Sequence, residues 1–453
     1  MTKRREFIKR GVLGTAGIAI GGIGFSRSTY NSIIGSNNRV NVAVIGIRSQ
    51  GVTHIKSFCS LKDSMNVRLK TICDADEQFF EPNIKTILGV GCEKPVTEWD
   101  MRRVFEDKEI DAVSFAVPDH WHALGTIWAL QAGKHVYVEK PASHTVFEGR
   151  QMIEAARKYK LRVQTGLMNR SIPQVMAAMK FLRDGGIGEV FMAKGLCYKP
   201  RDSFGIAKDS TPPDTLHYDY WLGPAPSRPY NEKHVHYNWH WFWATGGGDS
   251  ANQGPHQFDI ARWGLGKNEH PVKIYSMGGL YGINPAECEQ ETPNTLTSVF
   301  RYSDGKILEF ETRGRYTNAE SSLEVRIGNI FYGTEGYLEL DGDRWRAFRQ
   351  RETKPFMGSE AGEKSADVMA PPGGSIHYAN FIDSIRSGKD EDLHCHITDG
   401  HLSTSLPLLG NISYLTGREL TFDGSSETFV KDPEADKLLS REYRKPYVLP
   451  VMK

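Results

Sequence analysis

The chain has almost no net charge: 56 Lys and Arg stand against 55 Asp and Glu, a formal +1 over 453 residues. Such a balance gives no field to draw a polyanion, and no lysine-rich run is interleaved with aromatics, so nucleic acid is not an expected partner. Beyond the N-terminus no apolar stretch is long enough to cross a bilayer, so no membrane span is expected in the mature chain. No C-x-x-C occurs. The six cysteines, at 59, 73, 92, 197, 288 and 395, stand singly, which fits buried thiols better than a disulfide framework. Internal repeats are absent too. What remains is an ordinary soluble composition, 39% hydrophobic and 25% charged, with length for two or three domains.

The N-terminus differs. A basic head precedes a mildly apolar run, Val12 to Phe25, rich in Gly and Ala. Arg4-Arg5 followed by Glu6, Phe7, Ile8 and Lys9 resembles the twin-arginine signal R-R-x-F-x-K. An amphipathic helix is the alternative reading. Export by the twin-arginine route, to a periplasm or beyond, is the expectation. No good A-x-A marks a cleavage site, and no cysteine closes the run as a lipoprotein anchor would require.

From 39 onward strand-like and helix-like segments alternate. Short apolar runs at Val40–Ile45, Val67–Cys73, Asp111–Val117, His135–Val138 and Arg162–Thr165 predict parallel strands covered on both faces. Helices are expected around Val52–Leu61, Asp100–Phe105, Ala123–Ala132, Val146–Lys158 and Ile172–Arg183. From about Gly188 strands recur without intervening helices: Val190–Leu196, Val272–Gly278, Thr295–Tyr302, Lys306–Thr312, Ile327–Tyr332 and Gly336–Leu340. Asp304-Gly305 reads as a hairpin turn. Further helices are expected near Asp259 and over Tyr378–Ser387. The predicted fold class is α/β: a doubly wound parallel sheet, then a domain with a large open, mostly antiparallel sheet. The expected divisions are 1–38, signal and linker; 39–166, nucleotide domain; 167–428, substrate and oligomerisation domain; and 429–453, an extended arm.

The stretch NVAVIGIRSQGVTHIKSF, 41 to 58, lacks one piece of a dinucleotide turn. G-x-G-x-x-G uses its first glycine for the tight turn, its second for close approach to the pyrophosphate and its third for helix packing. Gly46 and Gly51 keep the first and third roles; the middle position is Arg48, followed by Ser49. A slightly wider turn admits Arg48, whose guanidinium then suits a phosphate. Asp74, directly after the second strand, is placed to take ribose hydroxyls, and an acid there favours NAD over NADP because it repels a 2′-phosphate. An α/β domain without a dinucleotide is the alternative.

VPDHWHALGTIWALQAGKHVYVEKP, 117 to 141, together with the turn, resembles the Gfo/Idh/MocA oxidoreductases. The E-K-P signature of that family stands as Glu139, Lys140 and Pro141. QTGLMNRS (164 to 171) and GGGDSANQGPHQFDIARWGLG (246 to 266) are similar to the second domain of a sugar-acting branch. The resemblance, over roughly 40 to 420, implies a Rossmann domain and an open-sheet domain that often forms homodimers or homotetramers. It also implies that Lys140 contacts substrate and cofactor ribose, with a cis bond before Pro141. From the residues alone, Lys140 ends a buried strand at the ligand edge of the sheet, where its ammonium suits a reacting hydroxyl; a structural ion pair is the alternative. Pro118, His120 and His122 are placed on the nicotinamide side, with capping by Asp119 or His120 left open.

The family commonly uses a D-x-x-x-H pair for proton transfer. Here the histidine is His256, but four residues earlier stands Asn252. Histidine suits a general base near neutrality, whereas an amide orients a hydroxyl without balancing an imidazolium. Asp259, one helical turn on, is a candidate for reacting or merely orienting. Trp239, Trp241 and Trp243 in HVHYNWHWFWATGGG suit a carbohydrate cleft or a core ribbon equally. The pairs His234/His236 and His394/His396 have ligand spacing but no convincing third ligand, so no metal is expected. The expected function is NAD-dependent oxidation of a sugar or sugar derivative with tightly held cofactor. The rival is a redox-assisted glycoside hydrolase or lyase of the same family. A non-catalytic sensor would be expected to lose Lys140 and His256, and both are present.

Overall fold

A computed structural model describes residues 38–342, 344–359 and 376–452. The twin-arginine-like segment lies outside the described residues. Among the described residues no helix is long and apolar enough to cross a membrane.

Six parallel strands form the first sheet in the order β3-β2-β1-β4-β5-β6: β1 (Val40–Ile45), β2 (Val67–Cys73), β3 (Val96–Glu98), β4 (Ala112–Phe115), β5 (His135–Val138) and β6 (Val163–Thr165). β4 is buried at every position and β1 at all but one, as apolar runs covered on both faces require. Helices α1 (Gln50–Ser60), α2 (Phe80–Gly89), α3 (Met101–Glu106), α4 (Asp119–Gln131) and α5 (Val146–Tyr159) alternate with these strands. The strand order reverses between β1 and β4, the switch point where open α/β sheets take ligands.

After α6 (Pro173–Arg183) comes a ten-stranded sheet: β7 (Val190–Cys197), β8 (Lys273–Gly279), β9 (Thr295–Arg301), β10 (Ile307–Arg313), β11 (Ile327–Gly333), β12 (Gly336–Asp341), β13 (Arg344–Arg349), β14 (Met357–Ser359), β15 (Leu420–Asp423) and β16 (Thr428–Phe429). Only β7 and β10 pair in parallel. Along β10 burial alternates strictly, with Leu308, Phe310 and Thr312 turned inward. The Asp304-Gly305 turn joins β9 to β10, with Gly305 at φ 90. Helices α7 (Tyr218–Leu222), α8 (Gly248–Asn252), α9 (Gly254–Gly264), α10 (Ile376–Ser387) and α11 (Ile397–Thr416) belong to this part of the chain. Phe258 of α9 and Leu406 and Leu409 of α11 share the core of the sheet's inner face with Phe300 and Phe310.

The arm from 429 is not extended throughout. It begins in β16, forms a short helix α12 (Pro433–Asp436), and only then runs out across the first sheet's domain. There Arg441 and Tyr443 bond Glu148 at 2.7 Å each, and Tyr447 packs edge-on against Trp121. All six cysteines are free, five of them buried.

Candidate functional site

A cavity of about 530 Å³ opens where the first sheet's strand ends meet α8 and α9. Gly46 forms one wall at φ +80; a Cβ there would lie 2.4 Å from the Ala116 carbonyl oxygen. At Gly51 a Cβ would lie 1.9 Å from the Gly46 carbonyl oxygen. These contacts fix both glycines by sterics. Between them Arg48 lines the cavity with its guanidinium 5.7 Å from the Phe79 ring centroid, and Ser49, not a glycine, takes a left-handed φ of 50. Asp74 ties the turn down: one carboxylate oxygen accepts from the Ile47 amide at 2.9 Å, the other from the Asp76 amide at 3.0 Å. Burial pushes its pKa up to about 6. Pro118 lines the opposite wall just before α4. A tight turn at the strand ends, an acid beyond β2 and a basic side chain on the loop fit a dinucleotide.

The reactive end is built around the β5 terminus. Glu139 is buried and accepts from His54 at 3.0 Å and Gln50 at 3.1 Å. Burial alone would raise it, but the His54 bond and the nearby Lys140 charge outweigh that and bring it to about 2. The Lys140–Pro141 bond is cis. Lys140 Nζ donates to the Asn252 carbonyl at 2.8 Å and lies 3.4 Å from its Oδ1. His256, in the first turn of α9, lines the same cavity, and its Nδ1 is buried without a protein partner. Burial and then the Lys140 charge hold it down at about 4, and the positive end of α9 acts in the same sense. His256 is therefore a neutral imidazole at neutral pH, a proton acceptor.

Two candidates are placed elsewhere. Asp259 does not line the cavity. Its carboxylate is consumed by Arg170 at 2.8 Å, Ser403 at 2.7 Å and Arg262 at 3.6 Å, deep between α9 and α11. It acts as a structural anion: with Asp399, at 2.9 Å from Arg262 and 3.3 Å from Arg170, it balances two guanidiniums buried there. His120 turns into the core, where Nε2 meets the Trp221 carbonyl at 3.1 Å. Asp119 lines the cavity with no side-chain capping bond, and burial pushes its pKa well up. His122 reaches the cavity but is held between the Pro141 and Val117 carbonyls at 2.7 and 2.9 Å.

The aromatic segment divides. Trp239 lines the cavity, stacked on His240 at 3.5 Å; Trp241 is buried beside Arg201, and Trp243 faces Tyr414. Neither histidine pair converges. His234 bonds Glu289 while His236 faces Asp76 at 3.4 Å; His394 bonds Ser171 while His396 caps α11. A cluster not seen in the sequence, His270, His401 and Glu427, lies outside the cavity, and Arg150 also occupies the Glu427 carboxylate. Residues missed at the site are His54, Gln50, Gln253, His240 and Lys199. Gln50 and His54 lie within the quoted nucleotide turn, Gln253 within the 246–266 motif and His240 within the aromatic segment, but nothing local marked them; Lys199 lies outside every such stretch.

Residues 40–167 match the oxidoreductase family, NAD-binding Rossmann fold. Residues 204–335 and 354–449 match the oxidoreductase family, C-terminal alpha/beta domain. The chain belongs to the Gfo/Idh/MocA oxidoreductases, and NAD is the cofactor. A glycosyl hydrolase family 109 protein of Shewanella pealeana is 30% identical over 171 residues, 34% of this chain and 37% of that one. The chain thus spans about two-fifths of the length of such curated relatives, 37% to 44%. Levoglucosan dehydrogenase in complex with NADH and levoglucosan superposes with TM-score 0.64 at 18% identity, over 85% of this chain and 100% of that one. Aldose-aldose oxidoreductase from Caulobacter crescentus does so with TM-score 0.63 at 16% identity, over 85% and 100%. At these identities the likeness is one of fold.

Proposed function

We propose that the protein oxidises a carbinol of a sugar or sugar derivative, with Lys140 and His256 as the proton-transfer pair. When bound, NAD takes a hydride from the carbinol carbon and can return it. The observation that carries the reading is the meeting of a lysine from the first domain and a neutral histidine from the second in one cavity. Asn252 orients the ammonium through two neutral oxygens, so the ammonium is left to polarise the substrate hydroxyl while His256 accepts its proton. Incubating purified protein with a panel of aldoses and glycosides and following absorbance at 340 nm tests this; no bleaching or gain with any carbohydrate refutes it.

A tightly held cofactor is part of the proposal. A segment of the second domain crosses the nucleotide end and is pinned on both sides of Asp76: the His217 backbone amide donates to the Ala75 carbonyl and the Glu77 backbone amide to the Thr215 carbonyl, each at 2.9 Å. Export by the twin-arginine route, which carries folded proteins, is consistent with a cofactor that travels inside; osmotic-shock fractionation of the native host checks it. The outer face of the ten-stranded sheet exposes Phe191, Tyr275, Met277 and Val299, an apolar surface suited to a homodimer or homotetramer. A monomer in sedimentation velocity would contradict that assignment.

Redox-neutral glycoside cleavage is the second reading. Transient oxidation of a ring hydroxyl acidifies the neighbouring C–H, elimination expels the leaving group, and water adds before reduction. The similarity to a family 109 protein and a second neutral histidine in the cavity, His240, support it. Turnover in deuterated water without added NAD separates the two: deuterium beside the oxidised carbon belongs to elimination alone.

A further inference from the structure

The charges around the cavity are distributed unevenly. Its acids are Asp74, Asp119, Glu139 and Asp341. Asp74 holds the nucleotide turn, Glu139 is bonded to His54, and Asp341 is paired with Arg344 at 3.1 Å. Burial drives Asp119 toward its neutral form. The wall formed by Lys199, Trp239, His240, Asn252, Gln253 and His256 contains no carboxylate. The nearest acid in that part of the sequence, Asp249, is fully engaged by Arg201, with contacts of 2.7 to 3.1 Å. Lys199 has no such neighbour. It lies two residues past β7, half-buried in the cavity wall, and among the described residues makes no ion pair or hydrogen bond. An ammonium on a cavity wall without a counter-ion is free to pair with an anionic group that a ligand brings.

His240, which lines the same cavity and feels the Lys199 charge, is set for a different contact. Its Nδ1 donates to the Tyr237 carbonyl at 2.5 Å, which leaves Nε2 as an acceptor. Burial, and then the charges of Lys140, Arg201 and Lys199, keep the ring neutral. Trp239 stacks on it and fixes its plane. The cavity lining thus offers a cation for an anionic group and, within reach of its charge, an acceptor for a hydroxyl.

We infer that the substrate carries a carboxylate, a sugar acid or uronide, with Lys199 as the residue that selects it and His240 as the acceptor of an adjacent ring hydroxyl. The inference rests on the carbohydrate reading above. A lysine selects by charge more than by shape, because its ammonium is a compact point charge on a flexible stem. The preference it confers is therefore sensitive to salt.

The test uses the full chain as purified with its cofactor. Calorimetry with glucuronate and galacturonate, against glucose and galactose, gives affinity ratios without requiring turnover. At least one uronate is expected to bind tenfold or more tighter than its neutral parent at low salt, with the margin shrinking as salt rises. Lys199→Met should bring that ratio close to one, and Lys199→Arg should retain most of it. An unchanged melting temperature in both variants shows that folding is not the cause. Equal binding of each uronate and its parent, or a ratio unmoved by Lys199→Met, overturns the inference while leaving sugar oxidation standing. Failure of all four ligands to bind overturns the inference, and sugar oxidation falls with it only if the full panel of aldoses and glycosides also leaves absorbance at 340 nm unchanged.

Discussion

Lys140 and His256 come from segments more than a hundred residues apart, and each conditions the other. The ammonium is one reason His256 sits at about 4 instead of its ordinary 6.5; burial is the larger. A base held that low is unprotonated across the neutral range, so turnover should be flat from pH 8 down to about 5 and fall only below that. Removing the lysine charge removes the largest of the depressing effects after burial. In Lys140→Met the acid limb of kcat/KM should therefore move to higher pH, toward 6.5, alongside a general loss of rate. His256→Gln should lose about 10²- to 10⁴-fold in turnover, as expected of a positioned base, and the double variant should lose little more than the worse single one. An acid limb that stays put in Lys140→Met would show that the two groups do not act together.

At the scale of elements, the parallel sheet was legible because each buried strand reads as a short apolar run. α11 was not. It is buried nearly all round, so it has no polar face to set a period, and Ser, Thr, Gly and Pro407 interrupt its twenty residues. Glu139 was visible within its motif, but its partners Gln50 and His54 lie 89 and 85 residues away, and no local pattern joins them. Asp259 shows the opposite failure. Spacing from His256 made it a catalytic candidate, whereas the fold uses it to join three elements: Arg170 lies between β6 and α6, Asp259 and Arg262 on α9, and Ser403 on α11. The carboxylate is held below its usual range by those guanidiniums, which outweigh burial. Asp259→Asn leaves Arg170 and Arg262 to share Asp399 alone and should destabilise by about 3–5 kcal/mol. The fraction that folds should still bind NAD and turn over. A stable variant with no activity would return Asp259 to the reacting groups.

For the molecule as a whole, the histidines set the response to acid. Burial is the largest cause in each case: it holds His120, His144 and His240 at about 3, and His256 and His377 at about 4. An unfolded histidine titrates near 6.5. Above that pH both states are neutral and these groups cost nothing. Between about 6.5 and the folded values, the unfolded chain takes up protons that the folded chain refuses, so stability falls as pH falls. For the fully enclosed His120 and His377 the slope is on the order of 1.4 kcal/mol per pH unit each. Asp74 and Asp119 oppose them: burial raises both carboxyls, Asp74 to about 6, and each adds stability as pH falls through its folded value. Glu139 adds a later loss, at pH values from its ordinary 4.5 down to about 2. The five histidines outnumber these two carboxyls, so the net sign in the upper window is theirs. Urea midpoints measured from pH 7.5 to 5 should drop, above the range where ordinary exposed carboxylates titrate, and His377→Gln should make that decline shallower. A midpoint constant over this range would mean that the buried imidazoles accept protons in place, and the neutral His256 on which the chemistry depends would lose its physical basis with them.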